Sequence, residues 1–295
     1  MTLIVLTAIF FGMNDAMAQE DELRVYISVD MEGITGLVHG DHLGPGGSDY
    51  QMARRWTTQE ANAAIEGALA AGATHILVND AHGSMRNIIL EDLHPEAHLI
   101  TGRPKPYAMM EGIDETFDAI LMIGYHARGG TIGGVRDHTY SSATVFSIKI
   151  NGVDMPELGP NALLAGHYGV PIVLVTGDQA TADQAEEILG ERVRTVAVKE
   201  GISWEAARSL PLEKAHDLIR EAAQEAVENR DEIEPFPLEP PFEFEMTFLR
   251  SDMADNPSLI PGVERIDGRT VRFETDDPVD GFQLMRALIA LAGTG

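Results

Sequence analysis

The sequence predicts an α/β fold: a mostly parallel sheet covered by helices on both faces, with a smaller C-terminal α+β region. Two observations lead there. From residue 22 to residue 200, short apolar strand-like runs alternate with helical stretches, the pattern of βαβ units. Beyond Gly201 the texture changes to a long acid-rich helix, a proline-dense stretch and two separated strands. The chain therefore divides into a front segment over 1–18, an α/β domain over 22–200 and the smaller region over 201–295.

The elements follow in order. Arg24 to Val29 is a strand with Val25, Ile27 and Val29 on one face. Thr57 to Ala71 reads as a helix, with Thr57 or Thr58 as its cap, Glu60 as the acid of a capping box and Gly72 as its stop. His75 to Asn79 is a short strand, and Asp118 to Ile123 is an almost wholly apolar, hence central, one. Ala143 to Ile150 alternates toward Asn151-Gly152, a strong hairpin turn. Leu158 to Tyr168 is helical and closed by Gly169. Pro171 to Thr176 is a buried strand, Thr181 to Leu189 a helix and Val193 to Val198 a strand. Leu212 to Asn229 is a helix, Phe242 to Phe248 and Thr270 to Glu274 are strands, and Val279 to Ala292 is the closing helix.

Composition narrows the function. With 295 residues and 44% apolar content the chain can build a substantial core. A formal charge of −26 leaves no basic footprint for nucleic acid and none for an anionic membrane surface. Cysteine is absent, so disulfides and thiolate ligands are excluded and any metal must be held by His, Asp and Glu. At the front, Leu3 to Gly12 is apolar but too short to span a membrane, and Ala16-Met17-Ala18 is a small-x-small cleavage signature. Met1-Thr2 carries none of the usual positive charge. The expectation is a signal peptide and a periplasmic or secreted protein, with a cytoplasmic one if the segment is not cleaved.

Open α/β sheets bind ligands beyond the carboxyl ends of their strands. Here those ends carry polar residues. The first strand ends at Asp30 and Glu32 within Ser28-Val-Asp-Met-Glu-Gly33. The second ends at Asn79-Asp80 with His82 just after, and the central one at Gly124-Tyr125-His126. Glu157 follows the hairpin and opens the helix at Leu158. Hard oxygens and imidazoles together suit a divalent metal. Each residue also has an ordinary reading. Asp80 could cap or orient a neighbour, Asp178 could cap the helix after its strand, and His82 could sit in an exposed loop. The helix dipole alone favours Glu157. Lys199 faces either the site or the solvent, and Arg128 either contacts substrate or braces a ligand. Trp56 and Trp204 read as packing residues.

Ser28-Val-Asp-Met-Glu-Gly33, Val78-Asn-Asp-Ala-His82, Gly124-Tyr-His-Ala-Arg128 and Glu157-Leu-Gly-Pro-Asn161 resemble, in order and spacing, the motifs of the zinc-dependent D-aminopeptidases. These are self-compartmentalising enzymes first associated with bacterial dipeptide-transport operons. The resemblance runs from about Leu23 to Lys199. It implies two zinc ions per subunit: Asp30 bridging, Glu32 and His82 completing one site, His126 and Glu157 the other. It further implies a catalytic His138, in Gly134-Val-Arg-Asp-His138, and a homodecamer acting on short peptides, with D-alanyl residues a natural target. The preceding Gly129-Gly-Thr-Ile-Gly-Gly134 is longer than the family pattern by one residue.

The residues themselves leave the chemistry more open. Manganese or cobalt fits the same oxygen-rich set as zinc. His138 could serve as general base, as acid toward the leaving amine or as oxyanion donor, and the resemblance admits a nucleophile. Two rival functions share the ligands: a dinuclear-metal phosphoesterase or deacetylase, and a non-catalytic periplasmic metal or peptide binder. Against the phosphoesterase, no Gly-rich phosphate loop has a lysine beside it.

Overall fold

The computed structural model describes residues 22–294, so the export segment read at residues 1–18 lies outside the described residues. The larger sheet is built from β1 (Arg24–Val29), β2 (His75–Asp80), β3 (Ala97–Ile100), β4 (Ala119–Tyr125), β7 (Ile172–Asp178), β8 (Arg194–Ser203) and β9 (Ala206–Ser209). The smaller one takes β5 (Val145–Ile150), β6 (Val153–Met155), β10 (Phe242–Phe248), β11 (Glu264–Arg265) and β12 (Thr270–Thr275). Among the described residues five α-helices accompany them: α1 (Tyr50–Ala70), α2 (Leu158–His167), α3 (Gln179–Leu189), α4 (Leu212–Glu228) and α5 (Pro278–Ala292).

Alternation along β1 sends Val25, Ile27 and Val29 to one core with α1 and α4, and Tyr26 to a second core with α2, α5 and the smaller sheet. Both faces of β1 and β4 are buried, which explains their near-continuous apolar runs. The strand order is β3-β2-β1-β4-β7-β8-β9, parallel except for β9. From β1 the chain winds outward to β2 and β3, then returns to lay β4, β7 and β8 on the opposite side. The reversal falls between β1 and β4. That switch point opens a crevice beyond the carboxyl ends of the two strands.

The smaller sheet is antiparallel, in the order β11-β12-β10-β5-β6. Asn151 and Gly152 both adopt left-handed backbone, at φ 50° and 79°, as the two-residue turn between β5 and β6 requires. Its strands come from both sides of residue 200. β5 and β6 precede that point, while β10, β11 and β12 follow it, and α4 packs against α1 on the larger sheet.

Several elements depart from the sequence reading. Helix α1 begins at Tyr50, seven positions before the expected cap. Thr57 and Thr58 instead donate back to the carbonyls of Ala53 and Arg54, each at 2.9 Å, as interior helical hydroxyls do. Glu60 does not close a capping box; its buried carboxyl accepts the Thr35 N–H at 2.8 Å. The edge strand β3, four residues long, is too short to announce itself. Strand β8 runs through Gly201 to Ser203, because pairing with β9 extends it beyond the apolar run.

Candidate metal centre

Two glycines bring the ends of β1 and β4 into contact. A Cβ on Gly33 would lie 1.9 Å from the Tyr125 carbonyl oxygen. Gly124 has φ +72°, and a Cβ there would lie 2.5 Å from the Asp30 carbonyl oxygen. With no side chain at either position, the Gly33 N–H reaches the Gly124 carbonyl at 2.8 Å and the Asp30 N–H reaches Ile123 at 2.8 Å. The turn carrying Asp30 and Glu32 is thereby locked beside His126.

Five residues singled out from the sequence, and His138 with them, converge at this point. Asp30, Glu32 and His82 form one group of ligand-competent atoms, and His126, His138 and Glu157 form another, each within a span of 4.8 Å. Asp30 touches both. Its Oδ1 lies 3.1 Å from His82 Nδ1, and its Oδ2 lies 3.5 Å from His126 Nε2. Glu32 Oε2 is 2.9 Å from His82 Nδ1, and Glu157 Oε1 is 3.3 Å from His126 Nε2 and 3.5 Å from His138 Nε2.

The three imidazoles share one arrangement. His82 Nε2 donates to the Leu43 carbonyl at 2.7 Å. His126 Nδ1 donates to the Ala127 carbonyl at 3.0 Å, and His138 Nδ1 to the Arg136 carbonyl at 3.0 Å. A carbonyl can only accept, so each ring carries its proton on that side. The opposite nitrogen, a lone pair in the neutral ring, faces carboxylate oxygens that also only accept. Asp30 Oδ2, Glu32 Oε2 and His126 Nε2 are buried and have no hydrogen-bond partner. Such a cluster of acceptors is costly unless a cation stands among them.

The titration behaviour reports the same crowding. Burial, reinforced by the Glu32 carboxylate, lifts the Asp30 carboxyl to about 6. Burial disfavours a charged His126, but the Glu157 and Asp30 carboxylates outweigh it and raise the imidazole to about 10. The site pulls strongly for positive charge at the position its lone pairs share.

Surrounding groups hold these side chains in place. The Tyr140 N–H donates to Glu157 Oε1 at 2.6 Å. Arg136 and Tyr140, which flank His138 in sequence, both adopt left-handed backbone at φ 55° and 57°, a conformation that costs about 1 kcal/mol or more per non-glycine residue. Asp178 stabilises this loop: one carboxylate oxygen caps α3 through the Thr181 N–H, and the other accepts the Val135 N–H at 2.7 Å. Asp80 stays outside the ligand groups and orders the segment after His82, accepting the Ile88 N–H at 2.8 Å and the Asn87 side-chain amide at 2.7 Å.

Neither Lys199 nor Arg128 lines the cavity. Lys199 is neither solvent-facing nor substrate-facing: it is 2% exposed, and its Nζ donates to the carbonyls of Glu32, Ile34 and Leu37. It braces the turn after Glu32 from behind, and burial pulls its ammonium down to about 8. Arg128 points to Glu187 at 3.9 Å on the surface of α3. Trp204 is half-exposed rather than packed, with the Arg136 guanidinium 3.8 Å from its ring centroid. Nothing in the sequence marks Tyr140, because a backbone N–H leaves no trace in residue type. Asn161 is marked by its position, one helical turn after Glu157: its amide bonds the Tyr125 and Tyr140 hydroxyls.

Above the cluster lies a cavity of about 1080 Å³, lined among others by Asp30, Glu32, His82, His138, Tyr140 and Glu157. It is large enough for a peptide.

Comparisons with known proteins point to one family. A family model described as peptidase M55, D-aminopeptidase, matches residues 23–287. The D-aminopeptidase of Bacillus subtilis (strain 168) is 40% identical over 276 residues, covering 92% of this chain and 98% of the relative. A solved structure, "Zn-dependent D-aminopeptidase DppA from Bacillus subtilis, a self-compartmentalizing protease", superposes with a TM-score of 0.89 at 39% identity, covering 92% of this chain and 99% of that one. The chain belongs to the peptidase M55 family, the D-aminopeptidases.

Proposed function

We propose that this protein is a zinc-dependent aminopeptidase that removes N-terminal D-residues such as D-alanine from short peptides, using two metal ions. One observation carries the reading: three imidazoles, each with one N–H committed to a carbonyl, turn their remaining nitrogens toward buried carboxylates. With the rings neutral, Asp30, Glu32 and Glu157 bring three buried negative charges, which no single proton offsets. Two divalent cations would more than offset them: Asp30 could serve both, Glu32 and His82 would hold one, and His126 and Glu157 the other. The zinc dependence of the B. subtilis relative supports zinc, and mixed imidazole and carboxylate ligation suits it; manganese or cobalt would fit the same set.

When bound, such a pair polarises the scissile carbonyl and lowers the pKa of water. The protein supplies the rest. His138 is the proton carrier: its Nδ1–H is fixed on Arg136, so its Nε2 takes the proton of the attacking water and returns one to the leaving amine. Stacking on His126, with ring centroids 4.1 Å apart, keeps that imidazole in register.

Metal analysis of purified protein, followed by assays on D- and L-alanyl amides, tests the reading. About two equivalents of zinc with D-selective cleavage supports it; a metal-free protein active in the presence of chelator sinks it. The self-compartmentalising relative supports a homo-oligomer, with a decamer as the expected state, which sedimentation analysis would count. Export with cleavage after Ala18 is part of the proposal, and a mature protein still beginning at Met1 would refute it. Among the described residues no helix is long and apolar enough to cross a membrane.

A further inference from the structure

The cavity above the ligand groups is not uniformly acidic. Its lining includes Arg103, Arg136, Arg250 and Arg286. In a chain with 21 basic and 47 acidic residues, four guanidiniums in one cavity gather the scarcer charge at one place. Two of them are already paired. Arg250 forks onto both oxygens of Asp252, at 3.0 and 2.8 Å, and Arg136 holds Glu205 at 2.5 Å while stacking on Trp204. Among the described residues Arg103 and Arg286 have no carboxylate partner.

Arg286 is the better placed of the two. It projects from α5 and is half-buried. Its Nη1 donates to the carbonyls of Lys105 and Pro106, at 2.7 and 3.1 Å. No protein acceptor among the described residues meets its Nε or Nη2. Lys105 is itself fixed, with its ammonium on the Asp80 carbonyl at 2.7 Å, so Arg286 is tied to the end of β2, just ahead of His82. Tyr140, whose N–H holds Glu157, lies within electrostatic reach of Arg286. Arg103 leaves the same loop two residues before Lys105. A guanidinium that is partly desolvated, oriented and in no ion pair, with Glu111 acting on it only through space, is suited to a planar anion arriving from solution.

We propose that Arg286, assisted by Arg103, receives the C-terminal carboxylate of the substrate, so that the enzyme selects short peptides with a free C-terminus. The inference rests on the aminopeptidase reading and adds to it a length and end-group rule. A dipeptide or tripeptide carries an ammonium at one end and a carboxylate at the other, about 3.3–3.6 Å per residue apart when extended. The cavity offers acids and ligand atoms to the first and arginines to the second. A longer peptide or an amidated one loses the second contact.

The test compares kcat/KM for D-alanyl-D-alanine and D-alanyl-D-alaninamide in the zinc-loaded enzyme and in Arg286→Gln and Arg286→Lys. The wild type is expected to favour the free acid by about tenfold or more, chiefly through KM. Arg286→Gln should bring that ratio close to one, with Arg286→Lys between. A wild-type ratio near one, with both peptides cleaved, overturns the carboxylate site and leaves the aminopeptidase standing; this arm needs no variant to fold. An unchanged ratio in Arg286→Gln overturns it as well. A zinc-loaded wild type inert to both peptides overturns the aminopeptidase reading and the inference together.

Discussion

The imidazoles of His126 and His138 stack with centroids 4.1 Å apart and planes within 11° of parallel. Both present Nε2 to the same Glu157 oxygen, at 3.3 and 3.5 Å. Yet they are not equivalent. His126 is fully enclosed at the end of a central strand, whereas His138 rides on a loop held by left-handed residues and lines the cavity. The enclosed ring is suited to hold a cation and the cavity-facing ring to move a proton.

That division is open to a direct test with His138→Ala. We expect kcat to fall by about 10²- to 10⁴-fold while zinc content stays at its wild-type value. Loss of an equivalent of zinc would instead assign His138 as a ligand.

Asp30 sends one oxygen toward each ligand group, so Asp30→Asn should disturb both. The expected result is zinc below one equivalent per chain and a loss of activity exceeding the roughly 10- to 100-fold typical of outer-sphere changes. Retention of two equivalents by atomic absorption would refute a bridging role.

Chelation should also destabilise the fold, because metal bound only to the native state adds to its stability. Removing it leaves the acceptor cluster uncompensated. Scanning calorimetry is expected to show Tm lower by about 5 °C or more in the chelated protein, recovering on addition of zinc. Identical transitions with and without chelator would argue against a buried metal pair.

Gly33→Ala tests the approach of β1 to β4. The added Cβ would meet the Tyr125 carbonyl oxygen at 1.9 Å, and backbone on both sides limits relaxation. A destabilisation of about 3 kcal/mol or more is expected from urea unfolding, with activity falling in parallel. A stability within experimental error of wild type would mean the two turns are not in contact.

Glu60 supplies a pH test away from the metal ligands. Burial raises its carboxyl to about 7 from an ordinary value of 4.5. The folded state therefore keeps this proton while the unfolded chain has lost it. The stabilisation is full below pH 4.5 and disappears as pH rises through about 7. Glu60→Gln still accepts the Thr35 N–H and cannot ionise. Its stability relative to wild type should rise across that window, by an amount on the order of 3 kcal/mol, and level off above it. A flat difference between pH 4 and 8 would place the Glu60 proton elsewhere.

Much of this site was legible because strand chemistry is local. Val25, Ile27 and Val29 alternate, Asp30 and Glu32 follow at once, and the switch-point rule says where such residues meet. The ligand candidates Asp30, Glu32, His82, His126 and Glu157 needed no knowledge of distant packing. What failed was long-range. Thr57 and Thr58 have the composition of a helix cap, and only the packing of α1 on α4 shows that they are interior. Lys199 is a surface residue type that three carbonyls, brought together from the turn after β1, draw inward. Arg128 follows a candidate ligand by two positions, but the chain has already turned its side chain toward α3. The membership of β5 and β6 in the smaller sheet was equally hidden, since β10 lies more than ninety residues downstream of β5.

That last pairing has a consequence for biosynthesis. The polypeptide leaves the crevice after Tyr140, crosses the β5–β6 hairpin and comes back at Glu157, and β5 is hydrogen-bonded on its far side to β10, at residues 242–248. A nascent chain that has not yet emitted residue 248 has a raw strand edge where that support belongs. The segment from Tyr140 to Glu157 therefore gains its full backing only once residues 242–248 have been made.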